Sequence, residues 1–221
     1  MVYAIGKVSV YETSPDDEVV GSKDGVWEKV EYLNPDAVDR HAKTRRKPVM
    51  SYGYPIAPET APKAVIWKSK TKPPPDYALG NNEIMLVSGK FRDLVEQFEP
   101  GVHQFLPVAM YFRKNDDAPF ETYYWFICCT LIDSLDPAHT TLTWDGAPYD
   151  ERMDGLRRGA WYFEVTTPPQ KAVFSLKAIG DRHLWRDPYR VRDYVHCSDA
   201  FADAMTAAGL TGFGLTQYEQ I

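Results

Sequence analysis

Val2, Ala4, Gly6, Val8 and Val10 alternate with Tyr3, Ile5, Lys7, Ser9 and Tyr11. A period of two predicts a strand, ended by Ser14-Pro15-Asp16-Asp17. Val26 to Leu33 predicts a second short strand, and Asn34-Pro35-Asp36 the cap and first turn of a short helix through Arg40. From Pro48 to Pro75 prolines recur, and only Ala64-Val65-Ile66-Trp67 reads as a strand. The triplet Pro73-Pro74-Pro75 prefers polyproline II and acts as a stiff connector. It divides the chain into a Pro-rich strand and loop subdomain, residues 1–75, and a body, residues 76–221.

The body opens with a buried-strand run, Ile84-Met85-Leu86-Val87. Ser88 is placed to cap a helix whose Phe91, Leu94, Val95 and Phe98 fall on one face, and Pro100-Gly101 ends it. Phe105 to Phe112 and Phe120 to Ile132 predict a hairpin about Asn115-Asp116-Asp117. The return strand is apolar on both faces and so central in its sheet. Further strands are predicted at Leu142–Gly146, Ala160–Val165, Ala172–Leu176 and Arg182–Arg186.

The end of the chain repeats the start of the body. Val195-His196-Cys197 is a strand, Ser198 a cap, and Phe201, Ala204, Met205 and Ala208 a helix face. Gly209 closes that helix before Gly212-Phe213-Gly214-Leu215 returns as a strand. Ser88 and Ser198, Phe91 and Phe201, Asp93 and Asp203 hold equivalent places, and the segment from Leu86 to Phe105 matches that from Val195 to Phe213 in order of elements. The pattern predicts an α+β fold: a mixed, mostly antiparallel sheet with few helices and two similar strand–helix–strand units. Strand should exceed helix, and the helices after Ser88 and Ser198 should be the longest.

Composition adds limits. With 44% apolar and 25% charged residues in 221, the chain can bury a core without a disulfide or metal staple. The first residues lack the pattern of a signal peptide, and the longest apolar run, near Tyr123 to Leu131, is about half of what a membrane helix needs. A soluble, cytoplasmic protein is expected. Cys128, Cys129 and Cys197 form no CxxC, which argues for reduced thiols and against a zinc site. Net charge is −6, which disfavours nucleic acid as a direct partner. Residues 1–75 carry +2 and residues 76–221 carry −8, so an acidic body would steer a basic protein.

No nucleotide-binding, metalloprotease or serine-hydrolase motif occurs, and no cofactor or metal is expected. His41, His103, His139, His183 and His196 show no metal-ligand spacing. Asp133 and Asp136, with His103 or His183, offer a carboxylate pair and a base, which is the enzyme alternative: a hydrolase. Asp145, Asp150, Glu151 and Asp154 followed by Arg157 and Arg158 form a charged loop suited to a partner rim. Arg182, Trp185 and Arg186 lie in a stretch mixing charge with aromatics, the composition of interface hot spots.

Several stretches together resemble a known family. They are Ile84–Ser88 with its helix, Glu99-Pro100-Gly101-Val102-His103-Gln104-Phe105-Leu106-Pro107-Val108, and Tyr123-Tyr124-Trp125 running to Asp136. His183-Leu184-Trp185-Arg186 and Val195–Ser198 with Ala208–Gly212 complete the set. This order resembles the eleventh immunity-protein family of bacterial polymorphic toxin systems, formerly a domain of unknown function, over roughly residues 76–217. One segment departs: the family's central strand tends to carry an Asn where this chain has Cys128-Cys129. The resemblance implies a non-catalytic protein that binds and neutralises a cognate toxin. Charge suggests a basic toxin domain such as a nuclease. A general protein-interaction module is the other non-enzymatic alternative, and the oligomeric state is left open.

Overall fold

Ser88 and Ser198 show how local sequence becomes structure. Each sits in extended backbone, and each side-chain oxygen accepts the N–H three residues on, from Phe91 and Phe201, both at 3.3 Å. That satisfies one of the first-turn donors a helix leaves bare. The helices that follow, α1 (Gly89–Phe98) and α3 (Asp199–Ala207), exceed the single turn α2 (Leu176–Ile179) in length, as the pattern predicts.

A computed structural model describes residues 1–7, 19–22, 30–34, 53–67, 72–79, 85–112, 117–150, 152–153, 156–157, 159–165, 167–190 and 195–221. The strand continuation through Tyr11, the helix at Asn34–Arg40 and the turn at Asn115-Asp116 lie wholly or mostly outside those residues. The strands are β1 (Val2–Lys7), β2 (Val19–Ser22), β3 (Ala64–Trp67), β4 (Tyr77–Leu79), β5 (Met85–Val87), β6 (Gln104–Phe112) and β7 (Glu121–Ile127). Then come β8 (Thr143–Gly146), β9 (Arg152–Met153), β10 (Leu156–Arg157), β11 (Gly159–Tyr162), β12 (Val173–Phe174), β13 (Leu184–Trp185), β14 (Val195–Ser198) and β15 (Phe213–Gln220).

They form two mixed sheets, ordered β2-β3-β6-β7-β5-β4 and β12-β15-β1-β14-β13, and two small ribbons, β8·β11 and β9·β10. The fold is α+β, with more strand than helix among the described residues. Both sheets run across the proline triplet. Strand β3, from residues 1–75, pairs with β6, and β1 lies between β14 and β15.

Three apolar layers follow. The inner layer lies between the sheets and holds both long helices. Phe91 and Phe201, each fully buried, meet there edge to face at 6.2 Å. The outer face of the six-stranded sheet is covered by Val30, Ile56 and Ala61. The outer face of the five-stranded sheet is covered by Leu135, Leu142 and Trp161, with Trp144 and Tyr149 packed against them. Polar bonds pin the sheets together. Glu99 Oε1 accepts the backbone N–H of His183 at 2.8 Å. Thr211 donates its N–H and hydroxyl to Asp76 Oδ2 at 3.0 and 2.9 Å. Gly212 is held at φ +87°, and a Cβ there would lie 2.3 Å from the Tyr77 carbonyl, so this junction requires glycine.

Candidate functional site

Strands β8 and β11 pair antiparallel, with Trp144 opposite Trp161. Their rings lie 5.1 Å apart at 65°. Tyr149 folds back onto both, at 4.9 Å from each, and Tyr189 approaches Trp144 at 6.3 Å. Edge-on contacts of this kind add about 0.5–1.5 kcal/mol per pair beyond buried area. A Cβ on Gly159 would come within 2.5 Å of the Trp144 ring and 2.4 Å of the Asp145 carbonyl, so the indole lies flat only because residue 159 is glycine. Trp161 is buried, whereas Trp144, Tyr149 and Tyr189 are half-buried. The second ribbon, β9·β10, is nested between β8 and β11 and sets Arg157 opposite Arg152.

The cluster is fastened from below. The Tyr149 hydroxyl donates to Asp133 Oδ1 at 2.6 Å, and the backbone N–H of Trp161 donates to the Tyr189 carbonyl at 2.6 Å. Asp187 is buried and accepts three bonds of 2.9 Å: from the N–H and hydroxyl of Ser134 and from the N–H of Tyr189. Burial outweighs those donors and raises its carboxyl to about 6. Beside it the Arg190 guanidinium lies over Tyr218 at 4.8 Å and Phe163 at 5.3 Å. It donates to the Tyr218 hydroxyl at 2.7 Å and to His196 Nε2 at 2.9 Å. Arginine cannot accept, so His196 is neutral with its proton on Nδ1. Burial first, then Arg190 and Arg186, push its pKa well down.

Acidic side chains rim the aromatic cluster. Asp145, opposite Ala160, and Asp150, next to Tyr149, are exposed, as is Glu164, which accepts from the Thr143 hydroxyl at 2.8 Å. Phe163 and Val165 are exposed beside them.

The sequence-derived residues are placed as follows. Asp145 lies on β8 and Arg157 on β10, and Asp150 lies in the turn between β8 and β9. Glu151, Asp154 and Arg158 lie outside the described residues. Arg182 is exposed in the turn before β13. Trp185 is fully buried in the layer beneath the ribbons, and Arg186 is 8% exposed, its backbone N–H donating to the Thr130 carbonyl at 2.9 Å. Strand β13 alternates, with Leu184 facing the inner layer and Trp185 the outer one. Because that outer face is covered, its Trp and Arg are floor rather than surface.

The residues of the hydrolase alternative are held by different partners. Asp136 accepts the N–H groups of Ala138 and His139 at 2.9 and 3.0 Å and the His139 ring at 2.8 Å, which is turn capping. Asp133 holds Tyr149, and His183 Nδ1 meets Ser198 Oγ at 2.8 Å. His103 Nδ1 accepts the Cys129 N–H at 3.1 Å, so its Nε2–H donates to Glu99 Oε2 at 2.5 Å. Burial raises the Glu99 pKa, but the donors His103 and His183 overcome it and hold the carboxyl below its ordinary value. Periodicity did not reveal this buried pair. Its signal is a Glu and a His four apart across a Pro-Gly turn. Cys128 and Cys197 are buried and Cys129 half-buried, and none is bonded to another. Burial raises all three thiols, Cys129 to about 11 and Cys197 to about 12. Among the described residues no three His, Cys, Asp or Glu side chains are placed to hold a metal ion, and no helix is long and apolar enough to cross a membrane.

Fold and surface define an α+β protein of two joined sheets that presents an aromatic patch with an acidic rim. The family model described as "Immunity protein family (Imm11)" matches residues 10–220, and the chain belongs to that family. Membership implies a toxin-immunity role and a toxin as binding partner. None of the curated proteins matches the chain.

Proposed function

We propose that the protein is a bacterial, cytoplasmic immunity protein of a polymorphic toxin system, which neutralises its cognate toxin by binding alone. The contact face is the nested ribbon: the half-buried Trp144 and Tyr149, the exposed Asp145 and Asp150, and Glu151, Asp154, Arg157 and Arg158 of the same segment, with Arg182 as an outlying contact. Trp185 and Arg186 support it from beneath. The observation that carries this reading is an aromatic cluster left half-open and ringed by carboxylates, in a chain of this family. Clustered aromatics supply contact area at low side-chain entropy, and an acidic rim favours a basic partner such as a nuclease domain.

Co-expression with the adjacent toxin-like gene tests it. Growth is rescued, and the two proteins co-purify. Charge reversal at Asp145 and Asp150 together weakens the complex while the protein stays folded. A folded protein that neither binds nor rescues overturns the immunity reading. Binding untouched by the double reversal overturns the placement of the face.

A further inference from the structure

The two sheets share more than the strand–helix–strand segments. Strand order β4-β5-β7-β6-β3 in one corresponds to β13-β14-β1-β15-β12 in the other. The pairings run in the same sense: antiparallel, antiparallel, antiparallel, then parallel at the far edge. Registers agree residue by residue. Val87 pairs with Tyr77 and Tyr124, and Cys197, its counterpart before the second cap, pairs with Leu184 and Tyr3. Tyr124 pairs onward with Pro107 and Tyr3 with Gln217, each the same distance beyond its serine cap. At the parallel edge Ala64 meets Ala109 and Val173 meets Glu219, again the same distance beyond.

The polar details repeat as well. Ser88 donates its N–H to the Asp76 carbonyl at 2.9 Å and its hydroxyl to Asp76 Oδ1 at 2.7 Å. Ser198 donates its N–H to the His183 carbonyl at 3.0 Å, and its hydroxyl meets His183 Nδ1 at 2.8 Å. Asp76 and His183 each precede the edge strand of their own sheet, and each is gripped by the segment after the opposite helix, through Thr211 and Glu99. The aligned pair is therefore Phe105 with Leu215, not Phe105 with Phe213. A slip of two residues leaves every side chain on the same face, so the hydrophobic pattern alone does not reveal it.

One strand differs in its origin. In the first unit the central strand, β7, follows β6 directly in the chain. In the second the central strand is β1, from the opposite end of the chain. We propose that the chain is a duplicated five-strand unit in which Val2–Lys7 acts as the clasp of the second copy. The unit that carries the aromatic ribbon closes only when the first strand returns between β14 and β15. Strand β1 thus waits for two strands that lie far later in the sequence, a pairing of long loop and slow closure. This inference rests on topology and not on the toxin reading.

Two experiments test it. Native-state hydrogen exchange on the unmodified protein should place the amides of β1 in one opening class with those of β14 and β15, showing the same denaturant dependence. A β1 that exchanges early, as a fraying end, overturns the clasp. Separately, Val2 lies opposite Tyr218, so the chain ends sit side by side. A permutant that joins Ile221 to Met1 through a short Gly-rich linker, with new ends opened between β1 and β2, makes both units contiguous. It should fold, keep the parent's protection in β14 and β15, and refold faster. A permutant that does not fold at any linker length overturns the equivalence of β1 and β7.

Discussion

The outer faces of the two sheets differ more than their inner faces do. The cover of the six-stranded sheet is closed and apolar, and its polar ties are tight. Gln104 exchanges two bonds with the Ile56 backbone at 2.8 and 2.7 Å, the Trp125 indole N–H donates to the Pro62 carbonyl at 2.9 Å, and the Tyr123 hydroxyl donates to the Pro74 carbonyl at 2.6 Å. The cover of the five-stranded sheet ends in half-buried aromatics and exposed acids, over a buried carboxyl whose pKa is raised. One architecture therefore carries two exteriors, one spent on closure and one left available for contact. The inner layer should tolerate no change in either unit, whereas the exterior of the second should tolerate many changes without loss of fold.

The largest effect expected is at the centre. Phe91→Ala and Phe201→Ala should each cost about 3–5 kcal/mol, read as a drop in urea midpoint. Unequal losses would show that the two units share the inner layer unequally.

Next is pH. Asp187 has its folded pKa raised from 3.8 to about 6 by burial, so its contribution is fully present below 3.8 and lost as pH rises through about 6. The stability of the parent relative to Asp187→Asn should therefore grow by about 2 kcal/mol from pH 7 to pH 4. Glu99, whose pKa is lowered, behaves oppositely: its contribution is present above the ordinary carboxylate range and is lost as pH falls through its folded value. Urea titrations of Asp187→Asn and Glu99→Gln across pH should diverge in sign. A common sign would remove the electrical contrast between the junction and the floor of the ribbon.

Smaller still, Ser88→Ala and Ser198→Ala should each cost about 1 kcal/mol as lost caps, to similar extents. Smallest, Asp145→Lys with Asp150→Lys should change stability by less than about 0.5 kcal/mol, because both side chains are exposed. A thermal melt of this variant is the control for its loss of toxin binding.

How much of this is legible in sequence depends on the distance between partners. Both long helices, their serine caps and the paired β6 and β7 follow from local period and turn chemistry. The position of β1 does not, because Val2 and Tyr218 meet through pairing that no window of the chain records. Trp185 and Arg186 misled for a related reason. A short strand with mixed charge and aromatics looks exposed until the segment that buries it, far away in sequence, is in place. The aromatic cluster was visible as composition only. That Trp144, Tyr149 and Trp161 converge depends on the register of β8 with β11 and on the absence of a side chain at Gly159.

Two indoles 5.1 Å apart and steeply inclined couple their electronic transitions, and that coupling depends on their mutual angle. Trp144 and Trp161 should thus give the far-ultraviolet circular dichroism a signed doublet from the strong indole band, a built-in optical label at the surface proposed to meet the partner. Ordering or displacement of the ribbon becomes readable without any added dye.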